Sequence, residues 1–175
     1  MRKRQKTVWI TGASSGIGLA FAQAYAKKGY RLILTARRRG RLEKIAANLG
    51  VSCRIETADL SKDEECYRVC NLLKEETIDI FINNAGFGTC GEFAETDMTK
   101  EIDMIHVNVE AMHILCKEVL RHMRAKGHGT ILNVASSAGL LPGGPYMATY
   151  YATKAYVVSL TKSIAQEQRE KKSGV

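Results

Sequence analysis

The stretch Val8-Trp9-Ile10-Thr11-Gly12-Ala13-Ser14-Ser15-Gly16-Ile17-Gly18 decides how the rest of the chain is read. Residues 8–10 form an apolar run of the length a short buried strand needs. Three glycines follow at once, and residues 19–28 have the composition of a helix. A strand, a glycine turn and a helix in that order can hold a phosphate. Glycine lets the backbone turn tightly and approach a ligand. The helix then aims unpaired N–H groups and the positive end of its dipole at an anion.

The spacing separates this loop from its common look-alikes. Gly12-x-x-x-Gly16-x-Gly18 is not G-x-G-x-x-G, and no Gly-Lys-Ser/Thr follows to make a P-loop. Gly12-Ala13-Ser14-Ser15-Gly16 does fit the G-x-S-x-G nucleophile elbow of hydrolases. That elbow normally follows several earlier strands. Here only about seven residues precede the strand, so the sheet that would carry the elbow is missing.

Five apolar runs, 8–10, 31–35, 52–57, 78–82 and 130–134, alternate with helical patterns at 19–28, 41–48, 62–75, 98–126 and 150–171. Ser61 is placed to cap the third helix. In 98–126, Ile102, Ile105, Val109, Met112, Cys116, Val119 and Met123 recur at three and four spacings as one apolar stripe. The β-α alternation predicts an α/β fold, a doubly wound parallel sheet of Rossmann type with helices on both faces. In such sheets ligands bind beyond the carboxyl ends of the strands. The polar and glycine-rich segments lie there, at 11–18, 35–38, 58–60, 83–88 and 135–145.

At 175 residues, the chain has the length of one domain with a sizeable core. No apolar run is long enough to span a bilayer. The basic start lacks the apolar segment of a signal peptide, so a cytoplasmic location is expected. The five cysteines lack C-x-x-C spacing, which argues against a disulfide framework or a zinc site. The histidines form no H-E-x-x-H, and no metal is expected. Net charge is +8, and residues 1–42 carry eleven Lys and Arg with no acid. The positive field therefore surrounds the glycine loop, where it concentrates anionic ligands. No helix-turn-helix, zinc-finger or RNA-binding motif accompanies it, so nucleic acid is not the expected partner.

Taken in order, the motifs resemble the short-chain dehydrogenase/reductase family over essentially the whole chain. Residues 11–18, with Gly12, Ser14, Ser15, Gly16, Ile17 and Gly18, look like its cofactor loop. Asn83-Asn84-Ala85-Gly86 resembles its fourth-strand motif, which brings Asn84, Ala85 and Gly86 to the cofactor. Asp59-Leu60 resembles its adenine-contacting pair, and Asn108 stands where the family places a catalytic Asn. Tyr150-x-x-x-Lys154 looks like the active-site pair, which also contacts the cofactor, and Ser137 lies thirteen residues before Tyr150. Tyr151, with no lysine four residues on, and Ser136, one residue out of the family's spacing, are adjacent decoys, so Tyr150 and Ser137 are expected to fill these roles. The resemblance implies hydride transfer between a nicotinamide and a small-molecule carbonyl or alcohol, in a homodimer or homotetramer. Family members usually continue past the last helix, so residues 1–175 are expected to be one domain lacking its C-terminal strands. That gap leaves a second reading open, a non-catalytic nucleotide-binding or partner-binding module.

The chemistry of the residues agrees with the resemblance. Tyr150 and Lys154 are four apart on a helix and share a face. A free phenol titrates near pH ~10, and a neighbouring ammonium favours its ionised form. Such a pair serves as a general acid/base. Ser137 can donate a hydrogen bond to a carbonyl oxygen as charge develops, and Asn108 can hold a water that relays protons to Lys154. After the second strand the chain reads Thr35-Ala36-Arg37-Arg38, with no acid to accept the ribose hydroxyls of NAD. Guanidinium groups suit a 2′-phosphate instead, so NADP(H) is expected, with Arg37 the main contact and Arg38 beside it.

Overall fold

The computed structural model describes residues 4–175; Met1, Arg2 and Lys3 of the basic start lie outside the described residues. Strand β1 (Thr7–Thr11) is buried at every position. Along it side chains alternate faces, with Val8 and Ile10 in one core layer and Trp9 in the other. A strand buried on both faces must be covered twice. The chain meets this with β2 (Arg31–Ala36), β3 (Cys53–Thr57), β4 (Ile80–Asn83) and β5 (Thr130–Asn133), all parallel, in the order β3-β2-β1-β4-β5.

Helices α1 (Gly16–Lys27) and α2 (Arg39–Leu49) cover one face. Gly18, Ala22 and Ala26 are the buried side of α1, three small residues at a spacing of four, which lets the helix lie close to Val8, Ile10, Leu32 and Leu34. The other face takes α3 (Asp63–Cys70) and α5 (Met112–Lys126), whose Cys66, Val69, Leu115, Val119 and Met123 enclose Trp9, Ile33 and Phe81. The Trp9 ring lies 4.7 Å from that of Phe81. Its buried N–H donates to Thr35 Oγ1 at 2.8 Å, so the indole enters the core without an unmet donor. The last helix, α6 (Ala148–Glu170), meets α5 through Val157 against Met112 and Cys116.

Several boundaries differ from the sequence expectation. The fourth strand runs Ile80–Asn83 rather than 78–82. Ile78 is a core residue ahead of the strand, and the Asp79 carboxylate accepts the Thr7 N–H at 2.7 Å, fixing the amino end of the sheet. Ser61 is not the cap of the third helix; its hydroxyl donates to Asp59 Oδ1 at 2.9 Å and Lys62 takes the N-cap position. That helix tightens into a 3₁₀ turn at Asn71–Lys74. The long helix is interrupted: α4 (Met98–Ile105) passes through a π-helical turn at His106–Ala111 before α5. The apolar stripe therefore loses phase, and Ile102 is exposed. All five cysteines are free. Among the described residues no helix is long and apolar enough to cross a membrane, and no His/Cys/Asp/Glu group has the arrangement of a metal site.

An ion-pair network ties the amino end of β2 to β3 and the segment before β4. Glu76 accepts from Arg31 and, at 3.1 Å, from Arg54, which also reaches Glu56 at 2.6 Å. Hydrogen bonds from Arg31 hold the Glu76 carboxyl at about 2, against the opposing effect of burial and with help from Arg54. A carboxylate depressed in the folded state stabilises above its unfolded pKa, and that stability disappears as pH falls through the folded value. Replacing Glu76 with Gln should cost about 1–3 kcal/mol at neutral pH. It should also flatten the loss of stability that wild type shows between about pH 5 and 2. Urea melts across that range check both, and parallel acid limbs for the two proteins would remove Glu76 from the account.

Candidate dinucleotide and active site

Strand order reverses between β1 and β4, and a cleft of ≈ 880 Å³ opens beyond the carboxyl ends at that point. Its floor is the glycine loop. Gly12 and Gly16 have φ of +65° and +53°, the left-handed region where a side chain would strain the turn. Gly18 serves a different purpose. A Cβ there would lie 2.3 Å from the Gly12 carbonyl oxygen and 2.6 Å from Asn84 Nδ2, so only hydrogen lets the first turn of α1 fold back on its own loop. Ser15, the N-cap of α1, makes no side-chain cap bond, which leaves the leading N–H groups directed at the cleft.

The loop is clasped from β4. Thr11 Oγ1 accepts the N–H groups of Asn84 and Ala85 at 2.9 and 3.0 Å. Asn84 Nδ2 donates back to the Thr11 and Gly12 carbonyls at 3.0 and 3.4 Å. Asn84 therefore spends its amide on the loop. Thr11 opens the loop read from the sequence at 11–18, but its role as the clasp is not read there; the available signal is a hydroxyl at the last position of a buried strand.

Ser14, Ser15, Gly16 and Ile17 line the cleft beside Arg37 and Arg38, which follow the end of β2. Asp59 and Leu60, beyond β3, line it too, although the Asp59 carboxylate is engaged by the N–H and hydroxyl of Ser61. Ala85 and Gly86 continue the wall toward Tyr150 and Lys154.

At that end α6 is held by three contacts. Lys154, 6% exposed, donates from Nζ to the Val134 carbonyl at 3.1 Å, and burial pushes its ammonium below the ordinary lysine value. Its Nζ lies 5.9 Å from the centroid of the Tyr150 ring. A Cβ on Gly139 would meet the Lys154 carbonyl oxygen at 2.4 Å, so the 3₁₀ turn Ser137–Leu140 backs directly onto the helix. The Tyr150 ring packs on Gly88, where a Cβ would approach it to 3.0 Å.

Asn108 sits in the π-helical turn, a feature that often marks functional sites. Its side chain is 1% exposed. Oδ1 accepts the Phe87 N–H at 3.0 Å, and Nδ2 donates to the Phe87 carbonyl at 2.8 Å and to Thr153 Oγ1 at 3.1 Å. Thr153 in turn donates to the Tyr150 carbonyl at 2.8 Å. The amide thus joins the Gly86–Gly88 backbone to α6 rather than reaching Lys154 itself. Ser137 stands apart from this group. It is exposed at the start of its turn, and the cleft wall ends at Val134 and Ala135. Ser136, next to that wall, is half-buried, and its Oγ accepts the Ala138 N–H at 3.2 Å.

A family model described as short chain dehydrogenase matches residues 6–175. The chain belongs to the short-chain dehydrogenase family. It is 35% identical over 163 residues to the 3-oxoacyl-(acyl-carrier-protein) reductase FabG of Rickettsia prowazekii, a match covering 93% of this chain and 66% of that protein. Among solved short-chain dehydrogenases, one from Sphingobium yanoikuyae in complex with NADPH superposes with a TM-score of 0.90 at 36% identity, covering 97% of this chain and 67% of that one. An alcohol dehydrogenase from Thermococcus sibiricus complexed with 5-hydroxy-NADP gives 0.85 at 31%, over 97% and 73%. The chain spans 51–66% of the length of the first curated short-chain dehydrogenase relatives it matches.

The two glycines α1 and α2 begin around should respond oppositely to alanine. Gly18→Ala drives a Cβ into backbone and should cost about 1–3 kcal/mol, lowering Tm by several degrees. Gly40→Ala has nothing within 4 Å and should be neutral or stabilising by up to about 1 kcal/mol. Scanning calorimetry of the pair checks this, and equal Tm values would mean that the loop moves freely off Asn84.

Proposed function

We propose that the protein transfers hydride between NADP(H) and a small-molecule carbonyl or alcohol. The observation that carries this reading is the single cleft with the glycine cradle and two arginines at one end and the Tyr150–Lys154 pair at the other. The residues present fit a phosphorylated dinucleotide. Gly12 and the uncapped start of α1 suit its pyrophosphate. Arg37 and Arg38, with no acid beside them, suit a 2′-phosphate. Asp59 and Leu60 suit the adenine end, and the backbone of Ala85 and Gly86 the nicotinamide half. When bound, the dinucleotide supplies or accepts the hydride.

The chain's own residues handle the proton and the geometry. In the reducing direction the Tyr150 hydroxyl donates its proton to the substrate oxygen. Lys154 places a buried positive charge beside that phenol and stabilises the negative charge left on it. Asn108, through Phe87 and Thr153, fixes the loop and the helix between which Tyr150 works. For the second hydrogen bond to the substrate oxygen we assign Ser136 in preference to Ser137, because Ser136 is half-buried and adjoins the cleft-lining Ala135. The non-catalytic reading loses ground because Tyr150, Lys154 and Asn108 share one contiguous site.

Four variants test the assignment. Tyr150→Phe should lower kcat by about 10²-fold or more while NADPH affinity, measured by calorimetry, stays within about twofold. Full turnover in that variant would falsify the role of the phenol. Arg37→Asp should shift the ratio of kcat/KM from NADPH toward NADH, and a wild-type preference for NADH would remove the cofactor assignment. Ser136→Ala should reduce kcat more than Ser137→Ala; the reverse order restores Ser137.

A further inference from the structure

The strands that deliver the cofactor end of the cleft are not held equally. β1 is buried at every position and β2 at five of its six. β3 is the edge strand, paired on one side only, and all five of its residues are only partly buried. An edge strand leaves a row of N–H and C=O groups without a ladder partner. Ala58, Asp59 and Leu60, which line the cleft, continue this least-held strand. Their placement therefore needs support from outside the sheet.

Helix α3 and the turn before it supply that support. The Ala58 N–H donates to the Ala36 carbonyl at 3.2 Å. The Thr57–Ala58 peptide is planar and trans, so the Thr57 carbonyl points the other way, off the open edge. Arg68 Nη2 donates to that carbonyl, reaching back eleven residues. Glu65 holds the guanidinium through Nε and Nη2, both at 2.8 Å, the two-pronged geometry that fixes an arginine fork. The Glu65 carboxyl is kept below its ordinary value chiefly by the hydrogen bonds from Arg68, against the effect of burial, and further by the Asp59 backbone N–H. The Asp59 carbonyl accepts the Lys62 N–H at 3.1 Å, and the Leu60 carbonyl accepts from the Cys66 thiol at 3.7 Å. Arg68 does not itself line the cleft, and its side chain is 46% exposed. An exposed pair three residues apart on a helix adds little to stability. Its removal leaves the fold standing and frees the peptide between Ala36 and Asp59. Arg37 follows one end of that link and Asp59 the other.

We propose that Arg68, held by Glu65, is a positioning residue for the adenosine half of the dinucleotide: by fixing the Thr57–Ala58 peptide it sets Ala58, Asp59 and Leu60 against the strand end that carries Arg37. This rests on the NADP(H) reading above. Arg68 acts through the backbone and not on the ligand, so its loss falls equally on dinucleotides with and without a 2′-phosphate.

The test is calorimetric titration of wild type, Arg68→Ala and Arg68→Lys with NADPH, NADH and 2′,5′-ADP, a probe carrying only the adenosine half. In Arg68→Ala all three affinities should fall by one common factor of about five- to tenfold. Arg68→Lys, which keeps a donor for the carbonyl, should recover most of that loss. Both variants should melt within about two degrees of wild type. Failure of wild type to bind NADPH and 2′,5′-ADP overturns the dinucleotide reading and the positioning role with it. Binding by wild type at an affinity unchanged in Arg68→Ala overturns the positioning role alone. So does a loss seen with NADPH and 2′,5′-ADP but not with NADH, which makes Arg68 a contact to the 2′-phosphate. A loss greater for NADPH than for 2′,5′-ADP, or a Tm lowered by several degrees in both variants, also overturns it and reduces Arg68 to a general stabilising contact.

Discussion

The clasp between Thr11 and Asn84 is the constraint on which the site is built. It joins the carboxyl ends of β1 and β4 where the strand order reverses, through Thr11 Oγ1 and the Asn84 amide. Each bond is worth only about 0.5–1.5 kcal/mol net, but a buried donor left unmet costs about 1–3 kcal/mol. The clasp is thus stronger as a specification than as a source of stability. It sets the height of Gly12, and Gly12 in turn sets how closely Gly18 and the start of α1 can approach. The direction of the uncapped N–H groups follows from that approach, which a side chain at position 18 would block, since its Cβ would lie 2.3 Å from the Gly12 carbonyl oxygen.

A similar economy of space governs the other end. Gly86, Gly88 and Gly139 each lie where a Cβ would press on Asn108, Tyr150 or the Lys154 carbonyl. The glycines here act as sites of close approach, and none of these three has a positive φ. α6 can therefore dock with Tyr150 over the β4 loop and Lys154 against Val134. The π-helical turn supplies the remaining link, because it carries Asn108 where one side chain meets both the loop and Thr153.

Much of this was legible in the sequence, for identifiable reasons. The strand and helix alternation is set by local periodicity, and the five strands appear where the apolar runs fall. The glycine spacing encodes a turn whose φ values demand glycine at 12 and 16. Arg37 and Arg38 follow a strand end, and position alone brings them to the cleft. What stayed illegible depends on partners remote in sequence. Ile78 reads as strand because it is buried, yet it lies in the core ahead of the ladder. Ser61 reads as a cap until Asp59 takes its hydroxyl. A spacing of thirteen residues favours Ser137, whereas burial and the adjoining cleft wall are what favour Ser136 in the function proposed above, and neither is read from spacing. The bonds of Asn108 to Phe87 and Thr153 reach 21 and 45 residues away, so no local pattern announces them.

The charge distribution along the cleft adds a direction to the site. Residues 1–42 hold eleven basic side chains and no acid, and the two of them that line the cleft, Arg37 and Arg38, follow β2. The segments beyond β4 and β5 bring Phe87, Ala135, Met147 and the tyrosine instead. An extended ligand with anionic groups at one end and an uncharged reactive ring at the other has one favourable orientation in such a field. In the function proposed above, that orientation puts the phosphates toward α1 and Arg37 and the ring toward Tyr150. Burial lowers the affinity of Lys154 for its proton at the Tyr150 end of the cleft. Under the proposed function, recognition falls to the Arg37 end of the cleft and chemistry to the Tyr150 end, and the Thr11–Asn84 clasp lies between them.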